Sequence, residues 1–430
     1  RFLDGSGIRV EARIASELSG FCMEHDLHDT LVIPITQSGT TTDTNRAVAM
    51  ASERGAKVIA IVNRRQSDIT AKSDGVFYTS DGRDIEMAVA STKAFYSQIV
   101  AGHILALVFA HLLSTLSDER IADEFRLLEC TPAMMGKVLG LKEGIRGAVE
   151  GLAKQKRHWA VVGSGPNRTA AEEIRIKLSE LCYQTISADV VENKKHIDLS
   201  AEPLILVCAS GSPEKVIGDI AKDVAIFKAH KAAVVVFADE GERRFDGVAD
   251  AVIRIPRAPL PISVILNTVA GHLFGYYAAC SIDADALFLR AFKSRLNLIM
   301  VEQARQNLSV HECIADSRMR RIVNEFGDRF RRLRNLGDFS QSGVRTLSDL
   351  ILLLKYAAGK LPIDDFRHDF PDAAVEESPI DLLDFTLGRA VDELSRPIDA
   401  IRHQAKTVTV GTSRKEEPPG GLLFDLLAGL

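Results

Sequence analysis

Thr36-Gln37-Ser38-Gly39-Thr40-Thr41-Thr42-Asp43-Thr44 follows directly on an apolar run at 31–35 and leads straight into a helical pattern. A strand that ends in a hydroxyl-rich turn opening a helix is the first half of a β–turn–α unit, and such units build parallel sheets. The turn also suits an anion. The free N–H groups of a helix start and the helix dipole both favour negative charge there. Ser38, Thr41 and Thr44 add hydroxyl donors, and Gly39 lets the backbone come close to a ligand. No Lys stands at the end of the turn, so it is not a nucleotide P-loop. Alone, the turn reads equally as a phosphate cradle or as an ordinary capped helix, since Ser and Thr are common N-caps.

The same unit is written twice. The first copy runs from a strand at 31–35 through Ser38-Gly39 to a helix at 45–53, a strand at 56–63, a loop, and an apolar segment after Asp74. The second has a strand at 204–209, Ser210-Gly211-Ser212, a helix at 214–228, a strand at 232–239, and an apolar segment after Asp250. Each closes on a long apolar helix, at 91–116 and 263–280, the first with Ser91 as its expected N-cap. Buried β-branched strands alternating with helices predict parallel sheets covered on both faces, with ligands beyond the carboxyl ends of the strands. An extra strand and turn, Trp159-Ala160-Val161-Val162-Gly163-Ser164-Gly165, precedes the second copy. The first copy has no visible counterpart, so its opening strand and helix are expected to be absent, and the lack of an initiator Met agrees.

The organisation expected is a first α/β domain over 1–120, a helical linker over 121–157 and a second α/β domain over 158–290. A helical insertion over 291–395, a tail segment over 396–413 and a linker or further segment over 414–430 complete it. Arginines cluster between 318 and 334, but the net charge of −5 gives no basic footprint for nucleic acid, and a solvated or acid-facing surface fits better. Six widely spaced cysteines without a CxxC pair support neither a zinc site nor a disulfide framework, and fit a reducing cytoplasm. The apolar stretch 102–116 contains His103 and His111 and is short for a membrane span. No signal peptide is apparent. Neither a metal nor another cofactor is called for.

A helix expected at 169–183 places Glu173, Lys177 and Glu180 on one face. By spacing alone this is a common surface ion-pair stripe, worth only a few tenths of a kcal/mol per pair. His196, in Glu192-Asn193-Lys194-Lys195-His196, is expected in a polar loop.

Taken together, these motifs resemble the isomerase part of glutamine–fructose-6-phosphate aminotransferase (glucosamine-6-phosphate synthase), which consists of two sugar isomerase (SIS) domains. The resemblance rests on Ala15-Ser16-Glu17, on Gln37-Ser38-Gly39-x-Thr41-x-Asp43-Thr44 and on Val89-Ala90-Ser91-Thr92-Lys93-Ala94-Phe95. It continues in Glu173-x-x-x-Lys177-Leu178-x-Glu180, Lys195-His196 and the tail Ala405-Lys406-Thr407-Val408-Thr409-Val410. These motifs cover roughly residues 8–116, 158–290 and 396–410, in family order. The implied fold is α/β, two doubly wound parallel-sheet SIS (flavodoxin-like) domains plus a helical C-terminal insertion.

The resemblance also implies roles. Thr36, which replaces the family's usual Ser, would hold the sugar phosphate with Gln37, Ser38 and Thr41. Val89, Ser91 and Ala405 would line the sugar pocket. Lys406 would form a Schiff base with the open-chain ketose, which needs a partly neutral amine. Glu180 would shuttle the proton between C1 and C2, Lys177 would assist at the C1 oxygen, and His196 would open the ring from a neighbouring subunit, making a homodimer. The expected activity is amination and isomerisation of fructose 6-phosphate to glucosamine 6-phosphate in hexosamine biosynthesis, with ammonia from a glutaminase domain outside these residues. The chain departs from the family in lacking the opening Cys-Gly-Thr-Ser loop and in having Ile197-Asp198 where the family has Gly-Pro. Alternatives are another SIS phosphosugar isomerase, a deglycase, or a phosphosugar sensor, although a sensor has no use for Glu180, His196 and Lys406 together.

Overall fold

The computed structural model describes residues 2–80, 92–197, 203–374 and 378–398. They divide into two compact units, one up to residue 132 and the other from 133 to 398.

In the first unit, helix α1 (Ala15–Glu17) precedes strands β1 (Leu31–Val32) and β2 (Ile35–Thr36). These two are parts of one run, both parallel to β3 (Lys57–Val62) at a constant offset, with Leu31 opposite Lys57 and Ile35 opposite Ile61. Pro34 divides them because it has no N–H to donate, yet its carbonyl still accepts from the Ile61 N–H at 2.9 Å. Helix α2 (Thr42–Glu53) crosses from β2 to β3, and α3 (Asp68–Ala71) from β3 to β4 (Gly75–Tyr78), which is parallel to β3. Val48 of α2 and Ile69 of α3 are buried against Val58, Ala60 and Val62.

Two long helices follow, α4 (Lys93–Leu112) and α5 (Asp118–Gly140). At 20 residues, shorter than the helix expected at 91–116, α4 is by length and composition still long and apolar enough to cross a membrane. It nevertheless buries a polar contact: His103 Nε2 lies 3.3 Å from Glu124 Oε2 of α5, while the other oxygen of that carboxylate, Oε1, accepts from Arg120 at 2.9 Å.

The second unit opens with α6 (Lys142–Leu152), β5 (Trp159–Gly163), α7 (Asn167–Cys182), β6 (Ile186–Asp189) and α8 (Val191–Ile197). It continues with β7 (Leu204–Cys208), α9 (Glu214–Ala229), β8 (Ala233–Asp239), β9 (Ala251–Ile255) and α10 (Leu260–Arg305). The strands are all parallel, in the order β6-β5-β7-β8-β9. This is the doubly wound, flavodoxin-like arrangement, with its switch point between β5 and β7. Every residue of β5 and β7 is buried, which explains why both read as unbroken apolar runs.

Helix α10 runs unbroken for 46 residues, about 69 Å at 1.5 Å per residue. It leaves the sheet layer and enters an all-helical part made of α11 (Val310–Ala315), α12 (Ser317–Asn335), α13 (Val344–Ala357), α14 (Phe366–Asp369) and α15 (Pro379–Leu394). Phe292 of α10 stacks on Phe326 of α12 with centroids 3.8 Å apart, and Phe330 packs on Phe339. Lys154, just past α6, donates to Asp285 of α10 at 2.8 Å and to Asp338 at 2.6 Å, while the Phe339 N–H donates to Asp285. The arginines of α12 are partly occupied: Arg318 pairs with Glu302 and Asp316, Arg331 pairs with Asp328, and Arg329 lies over the Phe288 ring.

Candidate functional site

The turn after β2 is built around Gly39. Its φ of +68° lies in the left-handed region, and a Cβ there would fall 2.1 Å from Ser67 Oγ. Its carbonyl accepts from Asn45 Nδ2 at 3.0 Å and from the Ile69 N–H at 3.1 Å. These bonds hold the carbonyl inward while the hydroxyls stay on the other groups of the turn. Thr36 is buried, and its hydroxyl accepts from the Gly39 N–H at a long 3.3 Å. Ser38 and Thr40 share a hydroxyl contact of 2.9 Å. Thr41, the exposed N-cap of α2, makes no side-chain capping bond. Gln37 has a buried Oε1 without a hydrogen-bond partner. The turn thus offers hydroxyls and helix-start N–H groups, and among the described residues no carboxylate bonds to it.

The counterpart turn in the second unit has the same frame and the opposite electrostatics. Gly211 has φ +71° and would place a Cβ 2.2 Å from Ser263 Oγ. Here, however, Asp239 Oδ1 accepts from the Ser210 hydroxyl at 2.5 Å and from the Gly211 N–H at 3.0 Å. A carboxylate of the protein occupies the place an anionic ligand would need, so only the first turn is suited to a phosphate. The repeat extends to matching bonds elsewhere. Asp74 accepts from the Val58 N–H at 2.8 Å and from Lys57, and Asp250 accepts from the Val234 N–H at 2.7 Å and from Lys228.

On α7 the sequence-predicted row comes together. Lys177 Nζ lies 3.4 Å from Glu173 Oε1 and 3.4 Å from Glu180 Oε2. The Lys177 side chain is only 8% exposed and Glu173 11%, whereas Glu180 is 31% exposed. This is a half-buried charge row, with Glu180 its most accessible member. A fourth group, unsuspected from sequence, joins it from α10: His272 Nε2 is 3.4 Å from Glu173 Oε1. Burial works to raise the Glu173 carboxyl, but His272 and Lys177 outweigh it and hold it below the ordinary value. Burial likewise lowers His272 against the opposing pull of Glu173. The row therefore contains an ionised Glu173 beside a neutral imidazole at neutral pH.

His196 is on the last turn of the short helix α8, exposed, and not in the loop expected from its polar surroundings. The helix is pinned by Lys195 on Asp223 at 3.1 Å and by Asn193 on Asp189 at 3.1 Å. Among the described residues, no contact joins His196 to Glu173, Lys177 or Glu180. Val89, Ser91, Ala405 and Lys406 lie outside the described residues.

Residues 2–108 match the SIS domain family. Among proteins similar to this chain, the glutamine–fructose-6-phosphate aminotransferase (isomerizing) of Streptomyces coelicolor is 35% identical over 250 residues, 57% of this chain and 40% of that protein. The protein of the same name from Corynebacterium diphtheriae is 33% identical over 266 residues, 60% of this chain and 42% of its own. The chain thus spans about two fifths of the length of these curated relatives. Of solved structures, the C-terminal domain of glucosamine–fructose-6-phosphate aminotransferase from Francisella tularensis aligns with a TM-score of 0.59 at 24% identity, covering 65% of this chain and 78% of that one. Tagatose-6-phosphate ketose/aldose isomerase from Escherichia coli aligns with a TM-score of 0.53 at 16% identity, covering 65% and 76%. These structural likenesses show the SIS fold.

Proposed function

We propose that this chain is the isomerase part of a glutamine–fructose-6-phosphate aminotransferase, converting fructose 6-phosphate to glucosamine 6-phosphate with ammonia from a glutaminase domain. The observation that carries the reading is the Glu173–Lys177–Glu180 row, drawn together on α7 in a chain similar to aminotransferases of that name. In this reading the turn of Thr36, Gln37, Ser38 and Thr41 holds the phosphate, and Val89, Ser91 and Ala405 line the sugar. Lys406 forms the Schiff base with the open-chain ketose. Glu180, the most exposed carboxylate of the row, takes the proton from C1 and returns it to C2. Lys177 supports the C1 oxygen, its charge held between two carboxylates. His196, exposed on α8, acts in ring opening at the site of a second subunit, so the working form is a homodimer. A reducing cytoplasm suits the six free cysteines. The helical part over 291–395 serves regulation or assembly.

The test is Glu180→Gln, assayed for glucosamine 6-phosphate formation and for fructose 6-phosphate affinity. Turnover should fall at least a hundredfold with affinity within twofold of wild type, and unchanged turnover would remove Glu180 from the role.

A further inference from the structure

The α7 row is approached by one helix whose contribution the reaction scheme leaves unused. Gly271 of α10 has no side chain, and a Cβ there would meet Ile174 of α7 at 2.3 Å from Cδ1 and 2.4 Å from Cγ1. One turn on, Gly275 faces Leu178 at 3.4 Å from Cδ2. Two glycines at this spacing let the helix backbones come close together over one stretch. The next residue after Gly271 is His272, buried, with Nε2 3.4 Å from Glu173 Oε1, and the same carboxylate oxygen lies 3.4 Å from Lys177 Nζ. The close approach therefore puts an imidazole behind the carboxylate that faces the candidate catalytic lysine.

We propose that His272 is a positioning residue: through Nε2 it fixes the Glu173 carboxylate, which in turn holds the Lys177 ammonium in place beside Glu180. The proposal rests on the reading of Lys177 and Glu180 given above. Its physical basis is that a buried carboxylate oxygen with an imidazole nitrogen and an ammonium each 3.4 Å away, and no hydrogen bond of its own, has its place set by those two close contacts. Without His272, Glu173 remains charged and half-buried but can turn, and Lys177 loses its fixed place. The acid–base and Schiff-base groups are untouched. The expected loss is therefore in turnover and not in substrate binding.

The experiment compares His272→Gln and His272→Asn in the full-length chain. The glutamine amide can reach the place of Nε2, whereas the shorter asparagine amide falls near Nδ1. His272→Asn should lower kcat by about tenfold with KM within twofold, and His272→Gln should restore most of the loss. In a Lys177→Ala background, His272→Asn should cost nothing further. Equal loss in both variants, or a loss that persists without Lys177, would overturn the proposal, as would unaltered kcat in His272→Asn. Competitive acetylation of Lys177, read by mass spectrometry without substrate, separates this from the function itself. Faster labelling of Lys177 in His272→Asn than in His272→Gln supports the positioning role even if wild type fails to turn over fructose 6-phosphate. Identical labelling in the two variants contradicts it.

Discussion

Replacing Gly39 by Ala should damage the first unit together with the turn proposed to hold phosphate. Two costs add. A side chain at φ +68° pays about 1–2 kcal/mol for the left-handed region. The new Cβ would lie 2.1 Å from Ser67 Oγ, 2.7 Å from Ser67 Cβ and 2.9 Å from Ile69 Cγ2. Ser67 cannot swing away freely, because it is buried and its hydroxyl donates to the Arg64 carbonyl at 3.1 Å. Overpacking of this kind costs about 1–3 kcal/mol. The sum, about 2–5 kcal/mol, is a large share of the roughly 5–15 kcal/mol that holds a domain together. For a unit of this size it corresponds to a drop in Tm of around 10 °C. Calorimetry of the unit's transition measures the stability, and titration with fructose 6-phosphate the binding. Ser67→Gly in the Gly39→Ala background removes two of the three close contacts and should recover about 1 kcal/mol or more, leaving the backbone term. A Gly39→Ala protein that melts within 2 °C of wild type, or one that Ser67→Gly fails to relieve, would refute the reasoning.

The paired change Ser38→Ala with Thr41→Ala should weaken fructose 6-phosphate binding about tenfold or more and leave the dephosphorylated sugar unaffected, as titration of both sugars would show; equal weakening for both counts against the cradle. Lys154→Met leaves Asp285 and Asp338 without their shared cation, and chemical denaturation should show a loss of about 3–5 kcal/mol, with a loss under 1 kcal/mol contradicting the clamp. Burial lowers His103 and His272 in the folded chain, against Glu124 and Glu173 respectively. The unfolded chain then binds more protons below about pH 6.5, so the stability is present above that value and lost as pH falls through it. Tm should decline between pH 7.5 and 5.5, and His272→Gln should flatten part of the decline; a level profile in wild type would contradict the assignment.

The strand–turn–helix around Gly39 and its echo around Gly211 were legible because each rests on local chemistry: an apolar run, a left-handed glycine and a hydroxyl-rich helix start. The α7 row was legible as a face because 3.6 residues per turn fixes it, and the structure adds that it is half-buried, which separates it from a solvated stripe. His272 was not legible. It stands in an apolar helix nearly a hundred residues from Glu173, and its contact depends on Gly271 admitting α10 to α7. Gly271-His272 inside an apolar run was the one available signal, a small residue beside a buried titratable one. The continuity of α10 through residue 290 was hidden for another reason. Its first half is buried nearly all round and its second half is amphipathic, so the pattern changes where the helix does not. The helical state of His196 escaped because α8 is only seven residues long and is held by contacts to Asp223 and Asp189 more than by its own propensity. Which of the two glycine turns suits an anion depended on Asp239, a strand end away in sequence and adjacent only in the fold.

The most direct test of the proposed chemistry is to incubate the chain with fructose 6-phosphate and borohydride and to map any reduced adduct by mass spectrometry. A sugar-phosphate adduct on Lys406 is the predicted result and identifies the Schiff-base amine. Bound fructose 6-phosphate with no adduct, or an adduct on a lysine other than Lys406, would contradict the account.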